Sequence, residues 1–128
     1  MTSSARVDLV ERGYEAFQTG DMDALRSLLA ADVVWHAPGQ GAGEFHGVDD
    51  LIAEFGRQFQ ETAGTLRVTV SEIMEGDESV VVLARSTATR AGKTLDAPYA
   101  HIFHFSADKV SEAWVIAYDQ AASADFWG

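Results

Sequence analysis

The sequence predicts an α+β fold in which three N-terminal helices pack on a curved, mostly antiparallel sheet. Helix-like segments and one short strand fill the first half, and residues 65–118 read as four long strands joined by polar turns. Helices followed by a run of strands are typical of α+β folds, because alternating elements would favour a parallel sheet. A twisted sheet of this length curves around the helices, so we expect a conical cavity between them. No repeat or linker divides the chain, which predicts one domain over residues 1–128.

The first helix is predicted over about residues 4–19, and a shorter helix follows it. Apolar residues at three- and four-residue steps mark one face of the first helix. These residues are Val7, Val10, Tyr14 and Phe17. Gly20 can end the first helix in the left-handed conformation, and Asp21 can cap the second. The buried side of the second helix is predicted to consist of Met22, Leu25, Leu28 and Leu29.

A short strand at residues 33–35 and a third helix at about residues 48–62 complete the first half. The apolar face of the third helix is formed by Leu51, Ile52, Phe55 and Phe59. Residues 38–47 are rich in glycine, which predicts a flexible connection; the alternative is a lid over the cavity mouth. The tail at residues 120–127 is interpreted as a short closing segment.

Composition restricts the classes of partner. The chain has 9 Lys+Arg and 20 Asp+Glu, so its net charge is 9 − 20 = −11. This charge would repel a phosphate backbone, and no basic stripe offsets it, so nucleic acid is not an expected partner. No apolar run is long enough to span a bilayer, and the N-terminus does not resemble a secretion signal. The absence of cysteine fits a reducing compartment, so we expect a cytoplasmic protein.

Two of the predicted strands, at residues 80–84 and 113–118, are apolar on both faces. One face can cover the helices, and the other would leave a contiguous apolar surface in water. That surface comprises Val81, Leu83, Trp114, Ile116 and Tyr118. Exposed apolar patches of this kind mark protein–protein contacts. We therefore expect a homodimer through the outer sheet face, with the same patch contributed by both copies.

Several segments carry a resemblance to a known family. They read YEAF at 14–17, GDMDAL at 20–25, DVVWHAPG at 32–39, FHGVD at 45–49 and KVSEAW at 109–114. In order and spacing they resemble the SnoaL-like and ketosteroid isomerase-like branch of the nuclear transport factor 2-like superfamily. The resemblance implies a cone-shaped α+β barrel, usually dimeric. It does not imply one activity, because this fold hosts isomerases, cyclases, dehydratases, epoxide hydrolases and binding domains.

The catalytic positions of the isomerases are not kept in this chain. The resemblance places the isomerase tyrosine at Gly13, one residue before Tyr14, and the isomerase base at Ala37. A second acid of the isomerases corresponds to His101. The SnoaL-like cyclases carry a histidine at the position of His101, but their aspartate corresponds to Val115. Steroid isomerisation is therefore not expected.

Strand alternation gives a predicted cavity lining. If His101 points inward, Tyr99 and Phe103 do so too, while Ile102 and His104 point outward. The predicted ligand-contacting residues are Phe17, Trp35, Phe55, Phe59, Tyr99, Phe103, Val115 and Ala117. A lining of this kind suits a small, flat hydrophobic ligand. We expect no cofactor, and the spacing of the four histidines does not predict a metal site.

Three residues are candidates for catalysis: His101, Asp119 and Tyr14. A buried neutral imidazole could accept a proton from a carbon next to a carbonyl, or donate a hydrogen bond to that carbonyl. Asp119 lies on the predicted inner face of the last strand and could act as an acid or base. The structural alternatives are a core histidine, a carboxylate that caps the closing tail, and a tyrosine that packs in the core.

The expected function is that of a small cofactor-independent enzyme acting on a hydrophobic carbonyl compound, such as a polyketide- or terpenoid-like molecule. The reaction would be a proton-transfer isomerisation, cyclisation or dehydration. One alternative is a non-catalytic module that binds a small apolar molecule. Another is an epoxide hydrolase, in which Asp119 would activate water with support from an arginine such as Arg85.

Overall fold

The computed structural model describes residues 3–40 and 42–128. Its helices are α1 (Ser3–Thr19), α2 (Met22–Leu28), α3 (Val48–Glu61) and α4 (Gln120–Trp127). Its strands are β1 (Leu29–His36), β2 (Glu44–His46), β3 (Arg67–Glu75), β4 (Ser79–Arg90), β5 (Lys93–Ser106) and β6 (Lys109–Ala117). No helix in the described ranges is both long and apolar enough to cross a membrane.

The described strands form one sheet in the order β2-β1-β6-β5-β4-β3. Neighbours pair antiparallel, except that β1 lies parallel to β6. The sheet is curved but not closed, since β2 and β3 remain as its edges. The predicted α+β class and the long four-stranded meander are confirmed.

Three local features differ from the expectation. Strand β1 begins at Leu29, which was predicted to belong to the second helix, and its pairing with β6 shifts register between Leu29 and Val34. The glycine-rich connection contains β2, which pairs with β1 through Trp35 and Phe45. The tail is a helix, α4, whose first turn is capped by Asp119.

The core lies on the concave face of the sheet, beneath α1 and α3. On β4 the buried residues Val80, Val82 and Ala84 alternate with the partly exposed Val81 and Leu83, as a sheet covered on one face requires. Helix α3 supplies Leu51 and Phe55 to this core. The alternation fixes which side chains of each strand face the helices, and so it determines the lining of the cavity described next.

Candidate functional site

A cavity of about 110 Å³ lies between the helices and the concave face of the sheet. Seven of the eight predicted ligand-contacting residues line it: Phe17, Trp35, Phe55, Tyr99, Phe103, Val115 and Ala117. Phe59 does not line it. Its ring packs 4.9 Å from that of Phe17, and its side chain contacts a second cluster around Leu66 and Trp127.

His101 lies in the middle of the inner face of the sheet. In the strand pairing it stands between Val82 of β4 and Val115 of β6, both buried. The His101 ring centroid is 4.8 Å from that of Trp35 and 3.9 Å from that of Phe103. The side chain is 6% exposed, and this burial lowers the pKa of His101 to about 3. The imidazole is therefore neutral at physiological pH.

A hydrogen bond from α1 holds one of the two ring nitrogens. The Tyr14 hydroxyl lies 2.7 Å from Nδ1 of His101. Burial is the main cause that raises the pKa of Tyr14 well above its usual value, with a further contribution from Tyr99. Burial also raises the pKa of Tyr99, against hydrogen bonds from Tyr14 and Ser86 that lower it. Neutral side chains thus follow one another by hydrogen bonds along one wall of the cavity, in the order His101, Tyr14, Tyr99 and Ser86.

The other ring nitrogen of His101 is left without a partner by the described residues. Nε2 is buried and makes no hydrogen bond with any described residue. Buried polar atoms are nearly always paired in folded proteins, and an exception calls for an explanation. Because His101 lines the cavity, a ligand or solvent molecule in that space is the available partner.

The proton on the imidazole can occupy either nitrogen, and the Tyr14 hydrogen bond accommodates both forms. If the hydroxyl donates to Nδ1, the proton of the neutral ring is on Nε2, which becomes a donor toward the cavity. If Nδ1 donates to the hydroxyl oxygen, Nε2 carries a lone pair and becomes an acceptor. The direction of the Tyr14 hydrogen bond therefore decides whether Nε2 of His101 is a donor or an acceptor toward the cavity.

Asp119 lies outside the cavity. It follows the end of β6 at Ala117, it is exposed, and its carboxylate accepts a hydrogen bond of 3.0 Å from the backbone N–H of Ala122. The alternation of inward and outward side chains ends with β6, so it does not place Asp119 inward. Asp119 instead caps α4. Arg85 is paired with Asp96 at the surface. No carboxylate is among the residues found to line the cavity in the described part of the chain.

A second polar group in the lining, the amide of Gln58, was not predicted from the sequence. Gln58 of α3 is 7% exposed and lines the cavity together with Gln40. Its Nε2 donates to Oε1 of Gln40 over 3.2 Å and to Oε2 of Glu54 over 3.0 Å. Glu54 is itself buried and accepts two hydrogen bonds from Arg57. The available signal was the position of Gln58 three residues after Phe55 on the apolar face of the helix.

The chain is similar to known proteins in both sequence and structure. A SnoaL-like domain family model matches residues 10–113. An uncharacterized protein of Mycobacterium tuberculosis is 35% identical over 130 residues, which cover 99% of both chains. The solved structure of Bal32a, from a soil-derived mobile gene cassette, has 33% identity and a TM-score of 0.94, with 98% of each chain covered. TerC, co-crystallized with polyporic acid, has 21% identity and a TM-score of 0.82 over 96% of this chain and 98% of its own.

Proposed function

Because the chain belongs to the SnoaL-like domain family, we propose that it binds a small hydrophobic carbonyl compound and moves a proton on it with His101. The reaction class is isomerisation, cyclisation or dehydration without a cofactor. One observation carries the proposal: a buried imidazole lines an apolar cavity, with Nδ1 held by Tyr14 and with Nε2 paired by none of the residues that the structure describes. Unpaired polar groups in clefts are enriched at functional sites.

The cavity favours a ligand of about one ring with apolar surface. A cavity of roughly 150 Å³ is known to hold a benzene molecule, so this one, of about 110 Å³, must widen to hold a substituted ring. The ring-rich walls would contact the faces and edges of an unsaturated ligand. The use of the same fold by TerC, which was co-crystallized with polyporic acid, supports a small organic ligand. A larger polyketide- or terpenoid-like molecule would need the cavity to widen further.

His101 is neutral in the free protein, and the proposed proton transfer uses its Nε2 as the base. A pKa of about 3 instead of 6.5 means that the imidazolium is disfavoured by about 5 kcal/mol relative to water. With Tyr14 donating to Nδ1, the Nε2–H can donate to the carbonyl oxygen of the ligand. In this form His101 binds and polarises the carbonyl, and no proton leaves the neighbouring carbon. In the reverse orientation, in which Nδ1 donates to the Tyr14 hydroxyl oxygen, Nε2 takes the proton from the carbon next to the carbonyl and then delivers it to another carbon or to a departing hydroxyl of the same ligand. The enolate formed beside the ring offsets part of the cost of the imidazolium.

The test is the substitution His101→Gln, which keeps a donor and an acceptor but cannot carry a proton between carbons. On a panel of cyclic enones, turnover should fall by at least about 100-fold, while the affinity changes only a few-fold. The matched control is His104→Gln, since His104 is on the same strand but faces away, against Trp114. Turnover that survives His101→Gln would refute the catalytic role.

A second candidate is a non-catalytic binding module. It is supported by the absence of a carboxylate among the described residues that line the cavity, because His101 then has no carboxylate beside it to share the proton transfer. The two candidates separate on the unmodified protein. A module would bind the same enones with affinity that depends on His101, and would turn over none of them. Epoxide hydrolysis has less support, since Asp119 and Arg85 are both engaged outside the cavity.

We also infer that the outer face of the sheet joins two copies of the chain. Val81, Leu83, Trp114 and Ile116 are all partly exposed there, and Tyr118 is 62% exposed at its end. The His36 ring stacks on Trp114 and pairs with Glu44 and Glu112, which gives the apolar patch a polar border. An apolar centre with a polar rim is the usual composition of a protein–protein interface.

A further inference from the structure

The Gln58 amide adds a second point of recognition to the cavity. Its two N–H groups are directed at Glu54 and Gln40, as the two distances of 3.0 and 3.2 Å require. The Glu54 carboxylate is oriented in turn by Arg57, which donates to both of its oxygens. The Arg57 guanidinium also pairs with Glu61 and lies over the Trp127 ring. A buried side chain held by so many neighbours has one orientation rather than several.

The orientation of this amide follows from charge. An amide can be turned by half a rotation, which exchanges its oxygen and nitrogen. Turned that way, Gln58 would bring its carbonyl oxygen against the oxygens of Glu54 and Gln40, and three acceptors would meet without a proton between them. With Nε2 in that place, both of its protons are used and Oε1 remains. No described group donates to this oxygen, and the side chain borders the cavity.

Gln40 supplies the complementary group. Its Oε1 accepts from Gln58, so its own Nε2 still has protons to donate. Its backbone is fixed by hydrogen bonds to Ala37 and Gly43. The preceding Gly39 has φ of +84° and lies close to Ala124 of α4. A Cβ on Gly39 would lie 3.4 Å from the backbone nitrogen of Ala124. Gln40 and Gln58 therefore offer one donor and one acceptor at the same part of the wall.

We propose that this pair recognises a hydroxyl group on the ligand. A hydroxyl can donate to Oε1 of Gln58 and accept from Nε2 of Gln40 at once, whereas a carbonyl or ether oxygen would leave Oε1 of Gln58 unpaired. The inference rests on the proposed function, in which His101 contacts a carbonyl. Together the two polar points define the substrate class as a small hydrophobic hydroxy-carbonyl compound, with its two oxygens separated by apolar carbon.

The first experiment needs no variant. The probes are meta- and para-hydroxyacetophenone and the two compounds in which a methyl group replaces the hydroxyl. Their affinities are measured by isothermal titration calorimetry, or by quenching of tryptophan fluorescence, since Trp35 and Trp127 border the cavity. At least one hydroxyl compound should bind about tenfold tighter than its methyl counterpart. Equal or weaker binding of both hydroxyl compounds would overturn the inference.

The second experiment assigns the preference to Gln58. Gln58→Met keeps the length of the side chain and removes its polar atoms, so the hydroxyl preference should fall to within about twofold. Gln60→Met is the matched control, because Gln60 is exposed on the same helix, and it should keep the preference. A preference that persists in Gln58→Met would also overturn the inference.

A third probe separates this inference from the proposed function. Para-ethylphenol has the hydroxyl but lacks the carbonyl. If it binds as tightly as para-hydroxyacetophenone while the methyl compounds bind weakly, the carbonyl contact of His101 fails and the Gln58 contact stands. If the carbonyl raises affinity and the hydroxyl does not, the proposed function stands and the Gln58 contact fails.

Discussion

Acidification should destabilise the protein through His101 in a range where a solvent-exposed histidine would have little effect on folding. The folded pKa of about 3 lies below the value of 6.5 for the free side chain. Between these values the unfolded chain binds a proton that the native chain does not bind. The free energy of unfolding therefore falls as the pH decreases, by about 1.4 kcal/mol for each pH unit. From neutral pH to about pH 4.5, the contribution of His101 sums to roughly 2–3 kcal/mol.

The assay is urea unfolding at a series of pH values, followed by circular dichroism, for the wild type and for His101→Gln. Carboxylates such as Glu44 and Glu61, whose pKa values are lowered by neighbouring His46 and Arg57 respectively, contribute to acid unfolding in both proteins. The difference between the two curves therefore isolates His101, and it should grow by roughly 2–3 kcal/mol between neutral pH and about pH 4.5. His104→Gln should keep the wild-type dependence. Parallel curves for the wild type and His101→Gln would show that the imidazole is not buried in its neutral form.

Three further predictions concern single side chains. Tyr14→Phe leaves Nδ1 of His101 without its 2.7 Å partner and should lower the free energy of unfolding by about 1–3 kcal/mol. It should also reduce turnover more than ligand affinity. Unchanged stability and kinetics would contradict the hydrogen bond. Asp119→Ala removes the cap of α4 and should lower the free energy of unfolding by about 1 kcal/mol without changing ligand affinity, whereas Asp119→Ser should recover most of the stability. A loss of turnover at unchanged stability would instead indicate that Asp119 takes part in catalysis. Ile116→Asp places a charge in the centre of the outer face of the sheet and should convert the dimer to a monomer, as measured by light scattering. A wild type that is already monomeric, or a variant that remains dimeric, would contradict the proposed interface.

The cavity wall was predictable from sequence where the strands are regular. Strand β5 pairs with β4 without a register shift from His104 to Lys93, so the two-residue alternation around His101 holds along its length. The same rule failed at Asp119 because β6 ends at Ala117 and the chain turns into α4. Alternation describes a strand and has no meaning beyond its last residue.

Other features depend on contacts between distant segments. The three residues of β2 form a strand because Phe45 lies opposite Trp35, and nothing in their own sequence among the glycines predicts that pairing. Phe59 lies on the expected apolar face of α3, but its part of the face meets Leu66 and Trp127 rather than the cavity. Gln58 was missed for a related reason: a polar residue on an apolar face is recognised as a site only when its partners, Glu54 and Gln40, are known.

His101 presents to an apolar cavity a ring nitrogen, Nε2, that no described residue pairs, and the proposed function depends on this nitrogen. Nitrogen-15 NMR of the histidine side chains tests it most directly, on the free protein and after addition of para-hydroxyacetophenone. We expect the His101 ring to stay neutral at about pH 5, in keeping with its pKa of about 3. We also expect the resonance of Nε2 to move on binding while that of Nδ1 changes little. A ring that titrates near its ordinary value of 6.5, with no response of Nε2 to the ligand, would contradict both expectations.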